Sequence, residues 1–328
     1  MSREMEDLEA KIRTLCVHAW DEEIRWPIIS AWRENFTGQV LDQDLERLYG
    51  MLSLSKFMYF SKSMVREMLK SLYRDYFESP SLQRIRKNCG GSLDSARIRS
   101  LYAQRLKGAR FIGVGNPSES GCHLLYYFRQ VNNLPKDLFA DFHGAFQPHI
   151  DRAGLPGVGA RLTYVPRDQS ATTYVFFDDL VGSGTQVAQY LSRELASARA
   201  SNPGLEFIFL SLFATTAGLA RLNQPSLFDG RATALFELDE SFKAFEVGSR
   251  FFADPPSWFE LDRAREMIYQ YGELLYPERG LGFAGNQLLL AFAHNTPDNV
   301  PAAFWCPGEN NSWSPVFLRY DKNYGGVL

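Results

Sequence analysis

The chain has 328 residues, of which 45% are hydrophobic and 14% aromatic, and its formal net charge is -3. This length predicts one large domain with an accessory region, or two domains, because single domains average roughly 100–200 residues. The small net charge excludes a global electrostatic attraction to nucleic acid or anionic membranes. No apolar run reaches the roughly 18–20 residues of a membrane span, and the N-terminus lacks the apolar core of a signal peptide. Its 4 cysteines show no C-x-x-C spacing, so we expect a cytoplasmic protein with free thiols and no zinc site.

Helical periodicity dominates residues 1–107. Apolar side chains recur at helical intervals in residues 45–60 and again in residues 62–77, and Ser61 is placed to cap the second of these helices. Pro80, Gly90 and Gly91 interrupt the pattern, and a further helix begins near Ser92. These residues are predicted to form a helical N-terminal region.

A basic stretch lies at the end of this region, where Asp94 is the one acid between Arg84 and Arg110. Its basic residues are Arg84, Arg86, Lys87, Arg97, Arg99, Arg105, Lys107 and Arg110. Such a patch could contact nucleic acid or the acidic face of a partner protein. The alternative is a solvated helix surface, in which the cations near Lys107 complement a helix C-terminus. The sequence leaves both interpretations open.

Strands alternate with helices from Ala109 onward. Residues 109–115 predict a buried strand, residues 115–121 form a loop of small polar residues, and residues 122–131 predict a helix. The backbone amides and hydroxyl groups of this loop are suited to a diphosphate. Proline and serine are also common in ordinary turns, so a structural turn is the alternative.

Residues 175–186 are the most informative segment. Apolar strand residues lead into Asp178 and Asp179, a tight turn follows, and a helix begins directly after it. The turn consists of Gly182, Ser183, Gly184 and Thr185. Loop amides and the positive end of a helix dipole bind phosphate, and adjacent carboxylates accept hydrogen bonds from a vicinal diol. The segment therefore predicts a ribose 5-phosphate site, with a solvated Asp-Asp turn as the alternative.

Further strands are predicted at residues 161–165, 172–178, 205–213 and 231–238. Their alternation with helices predicts an α/β fold, a doubly wound and mostly parallel sheet with right-handed crossovers. Ligands of such sheets bind beyond the carboxyl ends of the strands, where both polar loops are expected. Thr215 and Thr216 follow the fourth strand, and we interpret them either as base or phosphate contacts or as helix caps.

The C-terminal part contains two further motifs. Residues 280–285 fit G-x-G-x-x-G, but they follow a predicted helix rather than a strand, so we reject a dinucleotide site there. A polar cluster follows the apolar run at residues 288–293, and it consists of His294, Asn295, Thr296, Asp298 and Asn299. It predicts either ligand contacts or an Asx turn built around Pro297.

Residues 175–186 resemble the phosphoribosyl-diphosphate signature of type I phosphoribosyltransferases. Ser183 and Gly184 take the places of its Thr-Gly pair, and Gln186 stands where a threonine is usual. The resemblance implies that Asp178 and Asp179 act on the ribose hydroxyls and help to position Mg²⁺ through a metal-bound ligand or water. It also implies that the loop at residues 115–121 cradles a pyrophosphate, with these candidates: Gly115, Asn116, Ser118, Ser120 and Gly121.

Many members of that family carry a long mobile loop between the second and third core strands. With residues 161–165 as the second core strand, the link here is residues 166–171, which is too short for a large lid. Arg167 is then the cation expected to reach a leaving pyrophosphate from this side. We expect the C-terminal segment to fold over the site instead, with His294 or Asn295 near the bound base.

The overall layout resembles phosphoribosyltransferase-like proteins of bacterial conflict systems, including effectors associated with retrons. The shared segments are residues 115–121, 123–130, 176–185, 294–299 and 304–305. The resemblance implies a helical region at residues 1–107, a phosphoribosyltransferase-like core at 108–240 and a C-terminal segment at 241–328 that packs on the core.

The same resemblance implies an effector that binds phosphoribosyl diphosphate or a nucleotide and acts at ribose C1 in antiphage defence. Its partners would be a protein or nucleoprotein component of the defence system, or further copies in a homo-oligomer. The alternative is a non-catalytic nucleotide-sensing or partner-binding module that keeps the phosphate site. A Ser/His/Asp hydrolase is disfavoured, because the sequence has no G-x-S-x-G motif.

Overall fold

The computed structural model describes residues 2–115, 120–151 and 161–320. Its helices and strands in chain order are α1 Arg3–His18, α2 Trp26–Glu34, α3 Gln43–Leu54, β1 Met58–Phe60, α4 Lys62–Tyr73, α5 Ser79–Asn88, α6 Ser95–Lys107, β2 Ala109–Gly113, α7 Ser120–Val131, α8 Phe142–Ala145, β3 Phe146–Asp151, β4 Arg161–Pro166, β5 Thr173–Val181, α9 Thr185–Ser201, β6 Glu206–Thr215, α10 Thr216–Leu222, β7 Ala232–Leu238, α11 Leu261–Leu275 and β8 Leu290–Phe292. A π-helical turn, Arg74–Glu78, joins α4 to α5.

The chain divides into two compact units. The first combines Met1–Val65 with Asp239–Leu328, and the second is the continuous segment Arg66–Leu238. Both ends of the chain therefore contribute to one unit, and the middle of the chain forms the other. The division into three regions drawn from the sequence stays a prediction.

The first unit contains a short parallel pair of strands that the sequence does not reveal. β1 pairs with β8, with Met58 opposite Leu290 and Phe60 opposite Phe292. The helix predicted over residues 45–60 is therefore wrong at its end, because α3 stops at Leu54. Backbone hydrogen bonds to a strand more than two hundred residues away fix residues 58–60 as extended chain, and helical periodicity carries no information about them. The predicted cap is confirmed, since Ser61 Oγ accepts a 3.3 Å hydrogen bond from Met64 N.

The second unit is built on a four-stranded sheet in the order β2-β5-β6-β7, and every neighbouring pair in it is parallel. On one face, Phe128 of α7 packs against Phe111 and Phe177, with ring centroids 5.3 Å apart in both pairs. On the other face, Phe176 belongs to a buried cluster that includes Leu191 of α9. Helices therefore cover both faces, and the predicted α/β fold is confirmed.

The strand predicted at residues 161–165 exists, but its predicted place as a core strand is wrong. β4 pairs antiparallel with β3 in a separate two-stranded sheet, with Phe146 opposite Pro166. The ring of Phe146 lies 4.4 Å from that of Tyr174, so this ribbon packs on the face of the main sheet. The link at residues 166–171 joins the ribbon to β5 rather than one core strand to the next. The inference that this link leaves the site without a large lid therefore loses its premise.

Candidate functional site

Three loops follow strands of the parallel sheet at a single edge. β2 leads toward α7, β5 leads into α9, and β6 leads into α10. Because the three strands are parallel and adjacent, their carboxyl ends meet at this edge of the second unit. This is the position where open α/β sheets bind ligands.

The two adjacent acids near the end of β5 have different surroundings. Side chains alternate along a strand, so Asp178 and Asp179 point toward opposite faces of the sheet. Asp178 is half-buried, and its Oδ1 accepts a 2.9 Å hydrogen bond from Asp179 N. Asp179 is only 6% exposed, and its Oδ1 accepts hydrogen bonds from Ser120 Oγ at 3.0 Å and Leu180 N at 2.8 Å. Asp178 is therefore the more accessible carboxylate, whereas Asp179 ties β5 to the start of α7.

The turn after β5 depends on a glycine in a left-handed conformation. Gly184 has a φ of 68° and occupies the N-cap position of α9. A Cβ atom at this position would lie 3.2 Å from Gly218 O, so a larger residue would meet both strain and close contact. Ser183 Oγ donates a 2.9 Å hydrogen bond to Thr185 Oγ1. Gly184 offers no capping oxygen, so the positive end of this 17-residue helix lies beside the turn without a side-chain cap from its N-cap residue.

A cation that the sequence interpretation missed lies against this turn. Arg221, near the end of α10, donates a 2.8 Å hydrogen bond from Nη1 to Thr185 Oγ1. α10 approaches the turn closely because Gly218 has no side chain, and a Cβ atom there would lie 2.2 Å from Gly182 O. Gly218 and Arg221 are three residues apart and so share a helix face. That spacing is the sequence signal that could have indicated Arg221.

Thr215 has the capping role that is one of its two interpretations, and a base or phosphate contact stays a prediction. Its Oγ1 donates a 2.7 Å hydrogen bond to Gly182 O and accepts a 3.0 Å hydrogen bond from Gly218 N. Thr215 is therefore the N-cap of α10 and also fixes the preceding turn. Thr216 is exposed at the first position of the same helix.

The loop after β2 lies beside the acidic residues at its far end. Ser120 reaches Asp179, and Gly121 packs so tightly that a Cβ atom would lie 2.8 Å from Phe177 O. Gly121 therefore has a packing reason to be glycine that is independent of any ligand. Gly115 has a φ of 95°. Two further candidates, Asn116 and Ser118, lie outside the described residues.

Arg167 is not brought to this edge. It precedes β5, and the next residue, Asp168, forms an ion pair with Arg110 at the start of β2. The six residues from Thr173 to Asp178 are separated by five rises, so the strand spans about 17 Å between them. The Arg167 Nε atom donates a 2.8 Å hydrogen bond to His143 O. The expectation that Arg167 reaches a leaving pyrophosphate gains no support from this placement.

The C-terminal candidates belong to the other unit. The His294 ring stacks on Phe292 at 5.1 Å, and Asn295 Oδ1 accepts a 3.3 Å hydrogen bond from Tyr320 N. Phe292 N also donates a 3.0 Å hydrogen bond to Asn295 O, which closes a tight turn after β8. These contacts give both side chains a local structural role. Their approach to a bound base stays a prediction.

The donor atoms at the edge fit Mg²⁺ bound together with a diphosphate. Residues 2–115, 120–151 and 161–320 contain no group of three or more His, Cys, Asp or Glu side chains that could hold a metal alone. Mg²⁺ is commonly bound by one or two carboxylates, with substrate phosphates and water completing its octahedron. Asp178 and Asp179 would act on Mg²⁺ through a metal-bound ligand or water, because side chains on opposite faces of the sheet cannot both ligate one ion directly.

A sequence profile of the PRTase-CE family matches residues 29–319. The chain belongs to the PRTase-CE family. It is a phosphoribosyltransferase-like protein, and the part of the resemblance that names this class is confirmed. No match to a curated protein was found. No helix in the described residues is long and apolar enough to cross a membrane.

Two solved structures resemble parts of this PRTase-CE chain. The xanthine-guanine-hypoxanthine phosphoribosyltransferase of Helicobacter pylori is 14% identical, with a TM-score of 0.26, and the match covers 55% of this chain and 86% of that one. The orotate phosphoribosyltransferase of Aeropyrum pernix is 16% identical, with a TM-score of 0.24, and the match covers 43% of this chain and 73% of that one. Both TM-scores are below 0.5, so the family assignment rests on the PRTase-CE match.

Proposed function

We propose that this protein binds phosphoribosyl diphosphate or a nucleoside phosphate at the carboxyl edge of β5 and acts at ribose C1. The observation that carries the proposal is the junction of β5 with α9. There Asp178 and Asp179 lie two residues before a turn in which Gly184 is left-handed and Thr185 contacts Arg221. Carboxylates for a diol and a helix N-terminus for a phosphate are thus a few residues apart.

Each part of this edge has a role in the proposal. Asp178, the more accessible carboxylate, accepts hydrogen bonds from the ribose hydroxyls, and Asp179 orients it through the strand backbone. The turn before α9 holds the 5-phosphate, with Arg221 adding positive charge. The loop ending at Ser120 holds the diphosphate on the opposite side of Asp179.

Bond cleavage at ribose C1 passes through an oxocarbenium-like transition state. Such chemistry depends on positioning the sugar and on stabilising charge, and it needs no protein nucleophile. Mg²⁺, when bound with the diphosphate, would neutralise charge on the leaving group. The chain's own residues would orient the ribose and hold both phosphate groups in place.

A non-catalytic nucleotide sensor is the second candidate. The observation that favours it is the burial of Asp179, whose Oδ1 is already engaged by Ser120 and Leu180. A carboxylate held in this way stabilises the loops whether or not a reaction occurs. The sensor would use the same phosphate site and change the contacts of a partner.

The biological setting is proposed from the resemblance to conflict-system proteins. In this setting the protein acts in the cytoplasm as an effector of antiphage defence associated with a retron, with a protein or nucleoprotein partner or as a homo-oligomer. Survival of phage-challenged cells that carry the intact locus, compared with cells that carry Asp178→Asn, tests the role. Equal survival of the two strains would argue against it.

Incubation with phosphoribosyl diphosphate, Mg²⁺ and a panel of nucleotides distinguishes the enzyme from the sensor. The enzyme is expected to release pyrophosphate or free base, and Asp178→Asn should abolish the release. Ligand binding without any product would support the sensor. The same assay with His294→Ala tests the proposed base contact, because a change of base preference is expected only if the side chain approaches the base.

A further inference from the structure

α5 and α6 form a helical hairpin, residues 79–107, and much of its surface is exposed to solvent. α6 contains 13 residues and none of them is buried. Surface helices of globular proteins normally bury one apolar face. Leu93, in the connection between the helices, is 80% exposed. Gly90 and Gly91 make that connection with φ values of 67° and 79°.

One end of the hairpin is anchored to the sheet by charge. Glu206, at the start of β6, accepts 2.7 Å hydrogen bonds from Arg84 and from Arg105. The single acid of the hairpin, Asp94, is used as a helix cap, because its Oδ1 accepts a 3.0 Å hydrogen bond from Arg97 N. Two of the basic side chains therefore share one carboxylate at the anchored end, close to the sheet.

Four basic residues lie closer to the connection between α5 and α6 than Arg84 and Arg105 do, and we call these four the basic tip. They are Arg86, Lys87, Arg97 and Arg99. All four are exposed, and no ion pair involving them occurs within the described part of the chain. Since the whole chain has a net charge of -3, the positive charge here is local rather than a property of the protein surface as a whole.

We propose that the basic tip binds the phosphate backbone of a nucleic acid without sequence specificity. Arginine and lysine side chains both form charge-assisted hydrogen bonds to phosphate oxygens, and the tip carries three arginines and one lysine. Packed helices lie about 8–10 Å apart, whereas the phosphates of one duplex strand follow one another every 3.4 Å along the axis. Cations on the two helices can thus contact phosphates about two to three positions apart on one strand.

The composition of the tip favours nucleic acid over an acidic protein. Protein interfaces depend on aromatic and apolar side chains at their centre. Leu93 is the one large hydrophobic side chain exposed in residues 79–107, all of which are described. With no exposed aromatic ring in this segment, base stacking on single strands is also disfavoured. The preferred ligand is a duplex contacted along its backbone.

The test measures binding of the full-length protein to a fluorescein-labelled duplex, as DNA and as RNA of the same sequence, at several KCl concentrations. The tip variant carries Arg86→Gln, Lys87→Gln, Arg97→Gln and Arg99→Gln. A control with the same change of charge carries Arg3→Gln, Lys136→Gln, Arg193→Gln and Arg231→Gln, all at exposed positions elsewhere. A third variant, Arg86→Lys with Arg97→Lys and Arg99→Lys, keeps the charge of the tip.

We expect the wild type and the lysine variant to bind with similar affinity, and the control to remain within about threefold of them. The tip variant should lose roughly tenfold or more at low salt, and the slope of log K against log salt should fall by about 3 to 4, as for four lost phosphate contacts. Equal losses in the tip variant and the control would overturn the proposal. Loss in the lysine variant, or tighter binding of labelled polyglutamate than of either duplex, would overturn it as well.

Discussion

Ser120 Oγ donates a 3.0 Å hydrogen bond to Asp179 Oδ1, which joins the start of α7 to the end of β5. This bond connects the two loops that the sequence separately indicates as phosphate-binding. Asp179 is 6% exposed, so the bond forms where solvent competes weakly. The relative position of the two loops therefore depends on this pair.

A double-mutant cycle tests this coupling. Ser120→Ala and Asp179→Ala each remove this hydrogen bond and should weaken binding of phosphoribosyl diphosphate, and the double variant should lose less than the sum of the two. A hydrogen bond to a charged group contributes about 1.5–3 kcal/mol, so a coupling of about 1 kcal/mol or more is expected. Ser192→Ala, on α9, is the control serine substitution. Strict additivity in calorimetric affinities would show that the two loops act independently.

Arg221 should discriminate ligands by their 5-phosphate. Arg221→Gln removes the cation that contacts Thr185 and should weaken ribose 5-phosphate binding roughly tenfold or more, because charge-assisted hydrogen bonds are strong. Arg193→Gln removes an exposed cation from α9 and should have no effect. Binding is measured by calorimetry with ribose 5-phosphate and with ribose. An equal affinity of Arg221→Gln and Arg193→Gln for the phosphorylated sugar would refute this role.

Gly184→Ala separates backbone strain from crowding when it is compared with Gly230→Ala. Both glycines are left-handed, with φ values of 68° and 74°, so each substitution should destabilise the fold by about 1–2 kcal/mol. A Cβ atom at Gly184 also lies 3.2 Å from Gly218 O, whereas one at Gly230 has no neighbour within 4 Å. Only Gly184→Ala should therefore displace the turn and weaken ligand binding. Thermal unfolding and calorimetry measure the two effects, and matching results for the two variants would contradict the account.

In the second unit, the sequence predicts structure best for segments that are buried on both faces of the sheet. Phe176 and Phe177 sit in a run of apolar residues that is buried on both faces of the sheet, so β5 and its position are predictable from the sequence. β4 has the pattern of a strand too, but a pattern does not specify the partner, and the pairing of Phe146 with Pro166 becomes visible only in the structure.

The candidate site likewise contains residues that the sequence reveals and residues that only the tertiary structure reveals. Asp178 and the turn before α9 form a contiguous motif, which the sequence reveals directly. Arg221 and Ser120 reach the motif from other segments, and contacts of that kind depend on how α10 and α7 pack. The packing role of Gly121 against Phe177 O was also beyond the sequence. A valine at that position would disturb the fold itself, which makes Ser120→Ala the better probe of the loop.

Stability of the second unit should depend on pH through Glu206. Burial raises the pKa of its carboxyl, but the hydrogen bonds and charges of Arg84 and Arg105 outweigh burial and hold the pKa below its usual value. The stabilisation is then fully present above the unfolded pKa of about 4.3 and is lost as the pH falls through the lower folded pKa.

Glu206→Gln should accordingly lower the free energy of unfolding by about 1–2 kcal/mol at neutral pH, since Arg84 is largely exposed and partly screened by solvent. The difference from wild type should shrink below about pH 4. Glu237→Gln, at an exposed position on β7, serves as the control. Urea unfolding at several pH values measures both variants, and a difference that does not vary with pH would contradict the ion-pair explanation.

The proposed site is tested most directly by calorimetric titration of phosphoribosyl diphosphate with Mg²⁺ into the wild type and into Asp178→Asn with Asp179→Asn. Asparagine keeps an oxygen that can accept the hydrogen bonds from Asp179 N and Ser120 Oγ, so the fold should persist. Asp137→Asn with Asp229→Asn removes the same charge at exposed positions of the same unit. We predict binding by the wild type and by this control, and no measurable binding by the Asp178 and Asp179 variant. An unchanged affinity in that variant would contradict the proposed site.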